Sequence, residues 1–147
     1  MDKKIVMIER TYDAPIETVW EAITNKDQMK HWYFEVDDFK AEVGFEFQFT
    51  AESDSKTYLH KCKVVEANPI TRLAYTWSYE GYAGQSLVTF ELFGEDNNKT
   101  RLKVTHSDLD TFPQDSPEFA PECFNEGWES ILGHSLRRFV EQKVLQN

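Results

Sequence analysis

The chain has no long apolar run, no excess of basic charge and little cysteine. Across its 147 residues no stretch approaches the roughly 18 consecutive apolar residues of a membrane span. The N-terminal MDKKIVMIERTY carries charge from its second residue, so no signal peptide is read there, and a cytoplasmic location without membrane insertion is expected. Lys and Arg number 16 against 26 Asp and Glu, a net charge of −10. That balance argues against nucleic acid and anionic lipid surfaces, both of which select basic patches. Two cysteines and four scattered histidines give no zinc spacing. Cys62 and Cys123 are expected as free buried thiols rather than a disulfide. A glycine-rich phosphate loop, a GxSxG elbow, an HExxH pair and a calcium loop are also missing. No metal, cofactor or catalytic residue is assigned. The acidic pairs Asp37-Asp38 and Glu95-Asp96 sit in turns and are read as solvated.

What the chain does have is aromatic mass, 14% of its residues, set out at alternate positions. Phe45, Phe47 and Phe49 recur at period two, as do Leu73, Tyr75, Trp77 and Tyr79, and then Val88, Phe90 and Leu92. Period two places each set on one face of a sheet. Strands are predicted over 4–12, 45–51, 58–67, 72–79, 85–93 and 100–107. Phe39, Ala41 and Val43 alternate with Lys40 and Glu42 and read as one more. Gly44 is expected in the turn that follows, and 52–57 as a hairpin loop. Between the first strand and the rest, Ile16, Val19, Trp20 and Ile23 form one helical stripe, with Pro15 at its first position. Asn25 restarts a short helix that carries Met29 and Trp32. Residues 108–121 read as a long loop. Beyond it, Phe124, Trp128, Ile131, Leu132, Ser135, Phe139 and Val140 predict one helix of about 24 residues, roughly 36 Å long.

The order β-α-α followed by six strands and a long helix describes an α+β fold in a single domain over 1–147. Short turns make the strands an antiparallel meander, apolar on one face, and only the C-terminal helix is apolar enough to cover that face. A curved sheet gripping a helix leaves a space that large side chains either fill or line.

Several local motifs, taken in order, resemble the activator of heat-shock protein 90 ATPase homologue-like family. This is a branch of the StAR-related lipid-transfer and pollen-allergen helix-grip superfamily. They are Ala14-Pro15 with Val19-Trp20-Glu21-Ala22-Ile23-Thr24, then Trp32, Phe39-Lys40-Ala41-Glu42-Val43-Gly44 and Leu73-Ala74-Tyr75-Thr76-Trp77. Val88-Thr89-Phe90-Glu91-Leu92, Val104-Thr105-His106-Ser107 and Gly127-Trp128 complete the series. The resemblance implies a helix-grip fold, a curved antiparallel sheet wrapped around the C-terminal helix, with a hydrophobic cavity. Relatives use such a cavity for lipids, sterols, flavonoids or polyketides.

The expected function is therefore binding of a small lipophilic ligand between sheet and helix by a monomer. Phe47, Phe49, Tyr75, Trp77, Phe90, Trp128 and Ile131 are the apolar candidates, and Tyr79 and His106 the orienting ones. Tyr75 and Tyr79 each carry a phenol that needs a partner if buried, and a ligand can supply it. His60 is a second inward histidine, read more readily as a core group. Gly127, on the apolar helix face, is read as a close approach of sheet, ligand or packing to the helix backbone. The loop 80–84 with Tyr82, and the loop 111–121 with Phe112 and Phe119, are candidate gates. Two alternatives stand beside binding: a chaperone-associated or stress-response module with a protein partner, and a cyclase- or hydrolase-type enzyme using the same cavity. Ser107 neighbours His106, but alternation sends it to the opposite face, which weakens any Ser/His pairing there.

Overall fold

A computed structural model describes residues 5–53, 56–113 and 119–145. Six strands form one antiparallel sheet in the order β1-β6-β5-β4-β3-β2: β1 Val6–Tyr12, β2 Glu46–Ser53, β3 Lys56–Asn68, β4 Arg72–Tyr79, β5 Ser86–Glu95 and β6 Lys99–Ser107. Strands β2 to β6 follow one another as hairpins. Strand β1 breaks that sequence by pairing with β6, Val6 opposite His106 and Tyr12 opposite Thr100. The chain must then cross from one sheet edge to the other, and α1 (Ile16–Thr24) and α2 (Lys26–Trp32) make that crossing. Alternation sorts the faces as expected. Val6 and Ile8 are buried while Ile5 and Met7 face solvent.

Helix α1 begins one residue later than the proline rule predicts. Pro15 is the N-cap, φ −63° and ψ 155°, and its carbonyl accepts from the amides of Thr18 and Val19. Asn25 ends α1 and caps α2, its side-chain oxygen accepting from the Gln28 amide. The indole of Trp32 donates to the Ala22 carbonyl at 2.9 Å and locks the two helices together.

The helix-grip architecture is the expected one, with one local correction. Phe39–Val43 is not a strand, so the sheet has six strands where alternation predicts seven. Just ahead of the segment the chain hydrogen-bonds to β2, where the Asp37 amide donates to the Gln48 carbonyl and Asp37 Oδ1 accepts from the Gln48 amide. Then it leaves. The amides of Asp38 and Phe39 bond to the carboxylates of Asp37 and Asp38, short local partners that compete with a ladder. Phe39 is buried edge-on against Phe47, whereas Val43 is 69% exposed, so the alternation reflects one anchor and not a pleat.

Gly44 takes φ +94° and lets the chain turn into β2. The register of β3 on β4 shifts between Val64 and Glu66, a bulge of the kind that bends a strand and increases its twist. The β2–β3 hairpin is described to Ser53 opposite Lys56, and the residues between them lie outside the described ones.

The C-terminal helix is continuous but not uniform. It runs as α3 (Pro121–Ser130), a π-helical segment (Ile131–Leu136) and α4 (Arg137–Leu145). Its buried side chains are Phe124, Trp128, Leu132, Leu136 and Val140, every fourth residue. In a regular α-helix, a step of four overshoots one turn by about 40°, so five such residues would wind about 160° around the axis. The wider π turn cancels that drift and keeps all five toward the sheet. The Tyr12 hydroxyl, fully buried, donates to the Leu132 carbonyl at 2.7 Å and ties β1 to this segment. Ile131, Ser135 and Phe139, expected in the same stripe, are only half-buried.

Two loops meet beside β4. Gly84 has φ +105°, and a Cβ built there would lie 2.4 Å from the Thr111 carbonyl oxygen. Thr111 Oγ1 accepts from the Gln85 amide at 2.9 Å across the same contact. Gly84→Ala is expected to lose about 3 kcal/mol through forced backbone strain and the clash. Urea unfolding of the variant measures it, and a loss below about 1 kcal/mol would show the loops to be free to separate.

Candidate functional site

The inner face of the sheet is set by alternation. Strand β2 contributes Phe47 and Phe49, β3 contributes Tyr58, His60 and Cys62, and β4 contributes Tyr75, Trp77 and Tyr79, all buried. Most of this surface is filled. Phe47 meets Tyr75 edge-on at 5.0 Å, Phe90 meets Trp128 at 5.9 Å, and Phe49 stacks on His60 at 4.4 Å. Toward the β2–β3 and β4–β5 turns the packing stops short, and a cavity of about 200 Å³ remains between sheet and α3. Its sheet wall is Ala51, Tyr58, His60, Trp77 and Tyr79. Its helix wall is Cys123, Phe124, Gly127, Trp128 and Ile131, and Phe34 and Phe119 close the ends. Exposed Cys123 and Gly127 mark the mouth. Among the described residues, no charged side chain lines it.

Of the ten sequence-predicted site residues, Trp77, Tyr79, Gly127, Trp128 and Ile131 line this cavity. Phe47, Phe49, Tyr75, Phe90 and His106 lie in the core behind it. The phenol of Tyr75 finds its partner inside the protein, 2.6 Å from the Tyr33 hydroxyl, so no ligand is needed to satisfy it. Burial pushes both phenols well above their ordinary pKa. Gly127 also departs from its expected role. A Cβ there would meet no atom within 4 Å, so neither sheet nor helix packing demands glycine. Neither cysteine is in a disulfide, as expected, but Cys123 is exposed rather than buried.

His106 is fully committed to the core. The Trp128 indole, which can only donate, gives its N–H to His106 Nδ1 at 3.0 Å. The proton of the neutral ring therefore sits on Nε2 and is donated to Ser86 Oγ at 2.6 Å, and Ser86 in turn donates to the Trp77 carbonyl at 3.2 Å. Burial drives the pKa of His106 down to about 3. A Ser–His pair does exist here, across β5 and β6 rather than between neighbours, but its polarity is wrong for a general base. A ring that already holds its proton toward the serine cannot accept the serine's.

His60 differs. Its Nδ1 lies 3.1 Å from the Tyr58 carbonyl, which can only accept, so the proton of the neutral ring is on Nδ1. Burial lowers its pKa to about 4, although the carbonyls of Tyr58 and Phe49 oppose that shift. Tyr79, 4.6 Å from the His60 ring, accepts the Trp77 indole N–H at 2.9 Å. Sequence reasoning places His60 on the inner face but ranks it below His106. It misses Phe34, Ala51, Cys123 and Phe124 as lining groups. Phe34 lies in an irregular stretch where no period could mark it.

Among the candidate gates, Phe119 closes one end of the cavity and stacks beside Phe112 at 5.6 Å, while Tyr82 lies over it at 5.2 Å. Phe112 itself is core, and residues 114–118 of that loop lie outside the described ones. A larger depression, about 550 Å³, lies on the outer face of the sheet. Its lining includes Asp37, Lys61, Lys63 and Thr76, ordinary solvent-facing groups without an apolar wall to desolvate a ligand. Among the described residues, no three His, Cys, Asp or Glu are placed to hold a metal ion, and no helix is long and apolar enough to cross a membrane.

Comparison with known proteins agrees with this geometry. Residues 13–141 match the family described as activator of Hsp90 ATPase homolog 1-like protein. A protein of Mesorhizobium loti is 26% identical, with 94% of this chain and 97% of that one covered and a TM-score of 0.78. A Bacillus halodurans protein is 28% identical, covering 96% of this chain and all of the other, at TM-score 0.73. DynU16, from the dynemicin biosynthetic locus, is 23% identical at TM-score 0.76; this chain spans 48% of its length, and the likeness is one of fold. No curated protein matches this chain in sequence.

Proposed function

The chain belongs to the activator of Hsp90 ATPase homolog 1-like family, and on that premise we propose that it binds a small lipophilic molecule in the cavity between sheet and helix. The observation that carries this reading is the cavity itself: about 200 Å³, aromatic on nearly every side, uncharged, and open at Gly127. An empty apolar space of this kind forfeits contacts that a filled core would make. Placement of a same-fold neighbour in a biosynthetic locus supports a small-molecule ligand.

Volume narrows the ligand. Pockets for drug-sized molecules run from roughly 300 to 1,000 Å³. A lipid, sterol, flavonoid or polyketide-like ligand would therefore seat one end here and project the rest past Cys123 and Gly127. Partner docking has less support. The exposed large apolar residues Ile5, Met7, Val43, Val65, Tyr82 and Phe93 are mostly scattered, as on ordinary surfaces.

Gly127→Leu tests the site. Its side chain enters open space, so the fold is kept and helix propensity gains up to about 1 kcal/mol. The same side chain occupies the mouth and is expected to weaken binding at least tenfold. An amide NMR titration with fatty acids, sterols and flavonoids reads this out at Trp77, Gly127 and Ile131. Saturable shifts lost in the variant support the reading, and unchanged affinity in Gly127→Leu refutes this site.

A further inference from the structure

The polar groups of the cavity are few, and most are already used. The Trp128 indole donates to His106, and the Trp77 indole donates to Tyr79. Two functions remain. One is His60 Nε2. With the ring proton on Nδ1, this atom is a bare acceptor. No side chain among the described residues bonds to it, although the Phe49 carbonyl also acts on the ring, and the one side-chain N or O atom both sealed from solvent and unpartnered among those residues is Gln28 Oε1. His60 Nε2 is therefore reached from the cavity that its ring lines. The other is the Tyr79 hydroxyl proton, because Tyr79 accepts from Trp77 and donates to none of the described residues. An acceptor and a donor thus stand on one wall, on rings 4.6 Å apart.

We propose that the cavity takes an uncharged compound of one or two rings bearing a hydroxyl, which donates to His60 Nε2 and accepts from the Tyr79 hydroxyl. The inference rests on the cavity being a binding site. A hydroxyl is an uncharged group that both gives and receives a strong hydrogen bond at one atom, which is what this wall offers. Ring compounds match the volume, since a cavity of roughly 150 Å³ holds one benzene. They also match the walls, where Trp77, Trp128, Phe34 and Phe119 present faces and edges for stacking. Carboxylates are excluded. No Lys or Arg among the described residues lines the cavity, the imidazole is neutral at pH 7, and the chain carries a net charge of −10. A buried carboxylate would stay unpaired, which is costly.

The test is calorimetric titration of the intact protein at pH 7 with four probes: 2-naphthol, naphthalene, 2-methoxynaphthalene and 2-naphthoate. The expected result is 2-naphthol at least tenfold tighter than the two neutral comparators, with no detectable binding of 2-naphthoate. In His60→Phe and in Tyr79→Phe the advantage of the naphthol shrinks while naphthalene binding persists. Equal affinity for naphthol and methoxynaphthalene overturns the hydroxyl assignment and leaves the binding reading standing. So does a full naphthol preference retained in both variants. Preference for the naphthoate overturns the assignment as well. Binding of none of the four defeats both the assignment and the binding reading. The ligand series on the unaltered protein decides the matter even if a variant does not fold.

Discussion

Acidification from pH 7 to 4.5 is expected to remove about 5 kcal/mol of folding stability. Two buried histidines account for it. Each titrates near 6.5 when unfolded, but in the fold His60 holds its pKa near 4 and His106 near 3. Both folded values are depressed, so the unfolded chain binds more protons than the native one throughout the interval between them. Stability is full above pH 6.5 and falls as the unfolded state gains protons that the fold cannot accept. At pH 4.5 each histidine costs about 2.5 kcal/mol. Net charge alone predicts the opposite trend, because protonating carboxylates relieves the self-repulsion of a chain at −10. Urea midpoints at pH 7, 5.5 and 4.5 separate the two. A flat or rising stability over this range would rule out neutral buried histidines as the main source of the pH dependence. His60→Phe should remove about half of the slope.

The second large effect is expected at Trp128. Its ring is buried among Tyr33, Trp77 and Phe90, at centroid distances of 6.0, 6.1 and 5.9 Å. Trp128→Ala removes that packing, a loss of about 3–5 kcal/mol for a buried aromatic. It also strips His106 Nδ1 of its donor, and an orphaned buried acceptor adds about 1–3 kcal/mol. The total approaches the whole stability of an ordinary domain. Trp128→Phe keeps most of the ring and loses the indole N–H, so it should fall about 2 kcal/mol short of the parent. Chemical denaturation of both variants apportions packing against hydrogen bonding. A Phe variant as unstable as the Ala variant would mean the hydrogen bond dominates, contrary to this account.

Much of the fold can be read from residue order because the controlling interactions are local. Arg72–Tyr79 alternates without interruption and forms a strand with those bounds. Asn25 caps α2 from its own side chain. The ordered motifs suffice to identify the family, which matches over residues 13–141. Phe39–Val43 misleads because alternation records which side chains are apolar, not where backbone amides bond, and Asp37 and Asp38 take those amides. The site is half legible. Alternation shows that Tyr75, Trp77 and Tyr79 face inward, but not where along the strand packing ends and space begins. Nor can it rank the histidines. The partners that satisfy His106 are 20 and 22 positions away, on another strand and on the helix, so their approach depends on register. The four-residue rhythm of Phe124, Trp128, Leu132, Leu136 and Val140 is visible in the sequence, but an α-helical template does not fit it.

That rhythm confines any tolerated change in residue count to one place on the helix. A π turn is in effect an α-helix carrying one inserted residue, and here the surplus lies within Ile131–Leu136, a stretch that includes Gly133. Deleting Gly133 would restore ordinary α winding and leave the helix beyond it facing the same way, whereas deleting a residue of α3 or α4 with the π turn kept would rotate everything beyond the deletion by about 100°. With a position lost between Leu136 and Val140 instead, Val140 would leave the buried side that it shares with Trp128 and Leu136. The two ends of one helix are thus phased around a single surplus residue, and a position can be lost within the π turn far more readily than on either side of it.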